Sequence, residues 1–385
     1  NAEDGHEIIK NDIADMISMA RPFLADPEFV AKAQAGKERE INTCIACNQA
    51  CLDHIFANKL TSCLVNPKAC HETEFSDSKA KAKSLCVIGA GPAGLSFAIE
   101  AAKKGHSVTI YEQKKDIGGQ FNIAKEIPGK EEFKETIRYF KEQIKVLNIE
   151  LKLETKVTMS YLNDMKYDEV IFSTGISPRE LAIEGIDHPK VINYEDLLTG
   201  KVKAGHNVAV IGAGGIGFDA CEYLAHDPEH KPTSLDKEAF FKEWGIDSEY
   251  ANRGAITKKQ TPPSFREITL LQRKETKHGK GLGKTTGWIH RTSLKDKGVK
   301  MIGGVEYKKI DDEGLHITTK SGTESKILKV DNIIICAGQV SNNNLYNEAK
   351  DKLSMPCHII GGAYLATEID AKRAINQGVR LANSL

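Results

Sequence analysis

Residues 84–112 constrain the fold more than any other stretch of this chain. Leu85-Cys86-Val87-Ile88 is a continuous apolar run, the pattern of a parallel strand covered on both faces. Gly89-Ala90-Gly91-Pro92-Ala93-Gly94 follows, then a helical stretch from Leu95 to Lys104 closed by Gly105. A second strand, Ser107-Val108-Thr109-Ile110-Tyr111, ends at Glu112. Strand, glycine turn, helix, strand and terminal acid together make a βαβ unit built to take a dinucleotide. Gly89 supplies the tight turn, Gly91 lets a pyrophosphate approach the backbone, and Gly94 brings helix and strand together. The helix N-terminus offers N–H donors and the positive end of its dipole. Glu112, 21 residues after Gly91, stands where the adenosine ribose needs a carboxylate.

The pattern recurs. His206-Asn207-Val208-Ala209-Val210-Ile211 is the strand, with the turn at Gly212, Gly214 and Gly217 and a helix over Phe218–Ala225. Some forty mostly polar residues intervene before the next strand, Arg266–Leu271, an insertion long enough to act as a lid or an interface. That strand ends in Gln272-Arg273-Lys274 where the first fingerprint has its acid. Two cations there favour a 2′-phosphate, hence NADPH over NADH; a solvated basic loop is the alternative. Gly279–Thr285 suggests a triphosphate loop but fails, because the first glycine would fall on His278. A mobile basic loop beside the nicotinamide cofactor is the better account.

Five of the nine cysteines fall between positions 44 and 70. Cys44, Cys47 and Cys51 lie within eight residues, and Cys63 arrives after eleven more. Four soft thiolates suit zinc or an iron–sulfur cube. Structural zinc usually takes two separated pairs, so three bunched ligands and one alone favour [4Fe–4S]. Cys70, next to His71, is the competing fourth ligand. No C-x-x-C follows Gly118-Gly119, which argues against a disulfide reductase.

Lys plus Arg and Asp plus Glu both number 53, so no global field recruits nucleic acid. No run of eighteen apolar residues predicts a membrane span. At the start, Asp15–Ala20 reads as a short strand before Arg21-Pro22. Asp26-Pro27-Glu28 then opens a helix, with Asp26 as N-cap and Gly36 as its stop. One strand and one helix cannot bury a core alone, and they suggest the last βα unit of a larger barrel. An Arg ending such a strand is placed to hold a phosphate, a surface Arg being the alternative. Residues 72–84 are polar and form a linker.

Two fingerprints, each followed by a strand ending in small residues (Asp168–Gly175 and Asp331–Gly338), resemble the two-dinucleotide-domain flavoproteins. In that superfamily an NAD(P)H domain is inserted in an FAD domain, and a C-terminal strand and helix return to the FAD side. Here Gly362-Ala363-Tyr364 stands where those proteins usually have Gly-Asp. The cysteine set, Ala20-Arg21-Pro22, Asn66–Glu72, Gly118–Asn122, Ile127–Lys130 and Gly283–Arg291 together are similar to the bacterial 2,4-dienoyl-CoA reductase family. Its members are NADPH-dependent and related to old yellow enzyme, enoate reductases and trimethylamine dehydrogenase.

That resemblance implies an α/β fold with two Rossmann-like domains, preceded by the last βα unit of a TIM barrel and an iron–sulfur segment. The expected divisions are 1–36 for an FMN-barrel remnant and 37–83 for the cluster segment and linker. FAD binding falls to 84–198 with 332–385, and NADPH binding to 199–331. Ala20 and Arg21 would contact the FMN phosphate; Cys44, Cys47, Cys51 and Cys63 would ligate the cluster. Ala93, Glu112, Gln120, Lys130 and Val157 would line the FAD site, closed by Gly362, Ile369, Asp370 and Ala371. Arg273 and Lys274 would take the NADPH phosphate. The implied route runs NADPH, FAD, [4Fe–4S], FMN, then a dienoyl-CoA substrate, in a bacterial cytoplasm. The barrel's catalytic Tyr and His have no counterpart in these 385 residues. From a different class, a zinc-stapled module that senses dinucleotides remains open.

Overall fold

The computed structural model describes residues 1–76, 81–319, 324–367 and 370–385. The chain divides into two compact units. The first comprises Asn1–Asn122, Glu132–Ser177 and Gln339–Leu385; the second comprises Ile123–Glu131 and Pro178–Gly338.

A five-stranded parallel sheet organises the first unit. Its spatial order is Cys357–Ile359, Glu169–Phe172, Ser84–Ile88, Ser107–Tyr111, Glu150–Lys152. Alternate residues of the central strand face opposite layers, as strand geometry requires. Leu85 and Val87 pack with Phe97, Ile110 and Ile375, whereas Cys86 and Ile88 pack with Leu162, Val170 and Phe172. The helix Pro92–Lys103 lies in the first layer against the C-terminal helix Ala371–Ser384. Gly378 permits the close approach: a Cβ there would strike the Ala93 carbonyl oxygen and come 2.9 Å from the Phe97 nitrogen. The fingerprint helix begins at Pro92, three residues before the first apolar periodic residue, because proline suits the first helical turn.

The second unit repeats the plan. Its parallel sheet runs Val191–Asn193, Asn332–Ile335, Asn207–Ile211, Glu267–Leu271, Lys300–Ile302. A three-stranded antiparallel sheet, Glu306–Asp311, Gly314–Thr319 and Glu324–Leu328, covers one face, with Leu315 and Ile317 packed on Ala209, Ile211 and Ile333. The helix Gly215–Ala225 covers the other through Phe218 and Leu224. The strands Val191–Asn193 and Asn332–Ile335, expected with the first domain, pair with each other in this second sheet, so residues 191–198 sit in the second unit. The insertion after Ala225 is not featureless, since Asp236 caps a helix over Lys237–Trp244.

Residues 15–20 form no strand; they run unpaired, with Met16 80% exposed, as an edge without a neighbour must. A short helix, Arg21–Ala25, follows instead, so Arg21 opens a helix rather than ending a strand, and the helix expected after Asp26 starts at Phe29. Asp26 is instead buried, and its carboxylate accepts from the Glu28 and Asn42 amides and pairs with Lys32 at 2.8 Å. Gly36 does end that helix, at φ +68°.

Candidate functional site

Residues 41–66 coil around a hollow of about 330 Å³ lined by Cys44, Cys47, Cys51, Cys63, Leu64 and Arg21. The backbone turns through positive φ at Ala46 (53°) and Asn48 (57°), which folds three cysteines back on one space. All nine cysteines of the chain are free thiols. Burial pushes the Cys47 thiol up to about 12 and Cys63 to about 11, and charge on the neighbouring thiols of the quartet adds to both. Opposing this, backbone amides donate to sulfur: Gln49 to Cys47, and Val65 and Asn66 to Cys63. Buried, mutually repelling thiols with N–H donors already aimed at them suit a cation centre that displaces their protons. Among the described residues, the group with every ligand atom within 4.8 Å of the others is Asp311, Glu313 and His316; the four thiols are spread wider. The four thiols lining one hollow could together hold a soft metal centre.

Arg21 donates to the Asn48 side chain at 2.6 Å, at the mouth of this hollow, and Ala20 is exposed beside it. His54, three residues after Cys51, was not anticipated. Its Nδ1 lies 2.9 Å from the Leu60 carbonyl, so that nitrogen carries the proton, and Nε2 faces the Lys372 ammonium at 3.3 Å. Cys70 lies outside the hollow's lining and is exposed.

The first fingerprint turn is built around Ser173. Gly89 (φ +104°) passes so near that a Cβ would stand 2.5 Å from the Ser173 carbonyl oxygen. The Ser173 hydroxyl donates to the Gly89 carbonyl at 2.8 Å and crowds the space above Gly94. Gly91 differs: nothing lies within 4 Å of its would-be Cβ, and it caps the helix Pro92–Lys103. That open cradle at a helix N-terminus fits a pyrophosphate. Glu112, only 8% exposed, accepts from the Ala90 amide and the Lys114 amide, both at 2.8 Å, so its carboxylate is fixed against the turn. Gly119 lies against Gly91, placing Gln120 near the same turn. Ala93 and Val157 are buried, and Gly362 is buried in the turn Gly361–Ala363. Asp370 caps the C-terminal helix by accepting from the Arg373 amide, and Ala371 begins it. Ile369 lies outside the described residues. Tyr364, at the place of the usual carboxylate, is 58% exposed.

In the second unit Gly212 (φ +109°) approaches the Cys336 carbonyl, Gly217 approaches Gly212, and Gly214 is open. Arg273 and Lys274 are exposed and make no ion pair among the described residues. The Gly279 amide donates to the Ala213 carbonyl at 3.2 Å and Arg291 donates to the Gly279 carbonyl at 3.2 Å. The basic loop expected to be mobile is thus tied to the fingerprint turn. Lys130 belongs to this unit, where its ammonium meets Asp219 of the fingerprint helix at 2.6 Å. Burial, then the Lys130 charge, hold His290 beside them below the usual histidine value.

A pyridine nucleotide-disulphide oxidoreductase family model matches residues 83–371. The chain belongs to this family. Among curated relatives, this chain is 33% identical over 382 residues to a metal reductase of Desulforamulus reducens, covering 97% of this chain and 55% of the relative. It is 28% identical over 342 residues to a cinnamate reductase of Clostridium sporogenes, covering 87% and 45%. Among solved structures, a 2-naphthoyl-CoA reductase with 2-naphthoyl-CoA superposes with TM-score 0.85 and 28% identity, covering 100% of this chain and 53% of that one. A thioredoxin reductase of T. acidophilum (TM-score 0.54, 17% identity, covering 80% and 98%) shares the fold. The chain spans about half the length of the first three relatives. Among the described residues, no helix is long and apolar enough to cross a membrane.

Proposed function

We propose that this chain is the electron-input half of an NADPH-dependent reductase of conjugated acyl-CoA thioesters, with 2,4-dienoyl-CoA as the whole protein's substrate. One observation carries the reading: a single chain holds two fingerprint turns open at Gly91 and Gly214 together with four converging thiols. FAD held at Gly91 and Glu112 would supply the conversion between hydride chemistry and single-electron transfer, and a cluster held by Cys44, Cys47, Cys51 and Cys63 would supply single-electron transfer.

The chain's own residues hold these groups in place. Gly91 and the amides of the following helix take the FAD pyrophosphate, and Glu112 takes its ribose. Ala93, Gln120 and Val157 line the site, and Gly362, Asp370 and Ala371 close it. Arg273 and Lys274 select the 2′-phosphate through charge and hydrogen bonding. Cys44, Cys47, Cys51 and Cys63 ligate iron, and the amides of Gln49, Val65 and Asn66 stabilise charge on sulfur. Arg21 serves the FMN phosphate. The groups that protonate substrate belong to a barrel of the whole protein.

The purified chain should absorb near ~400 nm, bleach with dithionite, and contain iron with sulfide. It should reduce ferricyanide with NADPH but leave dienoyl-CoA untouched. Turnover of dienoyl-CoA by these 385 residues would overturn the division of labour. A colourless protein with stoichiometric zinc would overturn the cluster. A second reading, reduction of an aromatic acyl-CoA, is favoured by the match of the whole chain to the 2-naphthoyl-CoA reductase. A substrate panel on the complete protein separates the two.

A further inference from the structure

Beside the cysteine hollow, with which it shares Val65, the first unit holds a second cleft of about 490 Å³, open to solvent. The segment Val65–Lys68 forms one wall, and Ile99, Lys103, Tyr139 and Phe140 form much of the rest. Among the described residues, Asn66, Ser96, Lys68 and Glu100 of its wall have partners, whereas Tyr139 and Lys103 do not. Tyr139 is 8% exposed, and its hydroxyl makes no hydrogen bond among the described residues. Burial, then the nearby carboxylates of Asp26 and Glu100, push that phenol well up, so it remains a neutral donor. The Lys103 ammonium has no ion pair among the described residues. Lys103 is exposed at the rim of the cleft. Glu100 itself is committed to Lys68 at 2.7 Å.

The buried, unpartnered Tyr139 hydroxyl and the exposed Lys103 ammonium face a cleft whose wall combines Ile99, Phe140 and Val379 with Asn42, Ser96 and the Lys68–Glu100 pair. The buried Tyr139 donor without an acceptor costs free energy that a bound anion restores, and the Lys103 charge favours that anion. The apolar share of the wall favours an anion with a carbon body over a bare oxyanion. We propose that this cleft binds a small carboxylate with a short hydrocarbon chain, and that occupancy is felt at Cys63. The carboxylate accepts from Tyr139 and Lys103 while the chain lies on Ile99 and Phe140. The coupling follows from the wall: Val65 and Asn66, which line the cleft, are the residues whose amides donate to the Cys63 sulfur. Small shifts of such donors retune a metal–thiolate centre. This second half rests on Cys63 being an iron ligand; the binding half does not.

Titration calorimetry of the purified chain with butyrate, and separately with inorganic phosphate, tests the site. Butyrate should bind, phosphate at least about tenfold more weakly, and Lys103→Met and Tyr139→Phe should each weaken butyrate about tenfold or more, with unchanged thermal melting. No butyrate heat at millimolar concentration, equal phosphate binding, or unaltered variants overturns the site. Visible circular dichroism of the iron-loaded protein should change on saturation with butyrate, and an unchanged spectrum overturns the coupling. Butyrate should bind an iron-free preparation equally well. Retained binding in a protein that never takes up iron defeats the cluster reading and the coupling while leaving the site standing.

Discussion

Gly89 and Gly91 stand two residues apart and should fail in opposite ways. A methyl at Gly89 meets the Ser173 carbonyl oxygen at 2.5 Å and its carbon at 2.9 Å, on a backbone at φ +104° that L residues rarely adopt. Strain of this kind costs roughly 1–3 kcal/mol, and overpacking against backbone that cannot move away about 1–3 more. Gly89→Ala should therefore destabilise the first unit by about 2–6 kcal/mol. In a unit of about two hundred residues each kcal/mol lowers the melting temperature by about 2–4 °C, giving a drop of at least about 4 °C. Gly91→Ala adds its methyl to open space at an ordinary φ of −82°, so stability should stay within about 0.5 kcal/mol. That methyl occupies the room left for phosphate, and FAD affinity should fall about tenfold or more, equivalent to about 1.4 kcal/mol. Calorimetric melts of flavin-stripped protein and FAD titration of each variant read the two effects separately. Equal destabilisation by both substitutions, or undiminished FAD binding by Gly91→Ala, would refute the reasoning.

In the second unit, Arg273→Ala with Lys274→Ala should raise the NADPH KM about tenfold or more while changing the NADH KM little, since charge-assisted contacts contribute about 1.5–3 kcal/mol; parallel changes for both cofactors defeat the assignment. Cys63→Ser should abolish most iron and sulfide, and Cys70→Ser should leave both unchanged, by metal analysis of anaerobic preparations. Burial pushes the Glu169 carboxyl up, but hydrogen bonds from Lys83 and His358, each at 2.6 Å, outweigh it and the net shift is down. A depressed folded-state carboxyl contributes stability above its unfolded value, about pH 4.3, and loses it as pH falls through the folded one. His358→Gln should accordingly raise the acid-unfolding midpoint, and an unchanged midpoint counts against the pair.

Much of the frame was legible because its signals are local. The run Leu85–Ile88, its glycine turn and the strand Ser107–Tyr111 need only neighbouring residues to declare themselves, and the structure forms both strands. What sequence could not disclose depends on distant partners. Val191–Asn193 is too short to announce its sheet and acquires one by pairing with Asn332–Ile335. Lys130 follows a motif that resemblance assigns to FAD, yet its ion-pair partner is Asp219, 89 residues away. Residues 15–20 carry strand-like composition without a neighbour to pair with, and so stay unpaired. Cys44 to Cys63 could be read as a ligand set from spacing alone, but the hydrogen bond from Lys372 to His54 spans 318 residues and left no trace in either segment.

The way the C-terminal segment closes the first sheet bears on the order in which the chain can fold. Cys357–Ile359 completes an edge against Glu169–Phe172, and Ala371–Ser384 covers the helix behind Gly91. During synthesis that helix must wait with Phe97 and its neighbours uncovered while nearly three hundred residues emerge. Most of the second unit lies in one continuous stretch and can form in the meantime. A nascent chain stalled before residue 357 should expose a greasy, protease-sensitive first half beside an already protected second one.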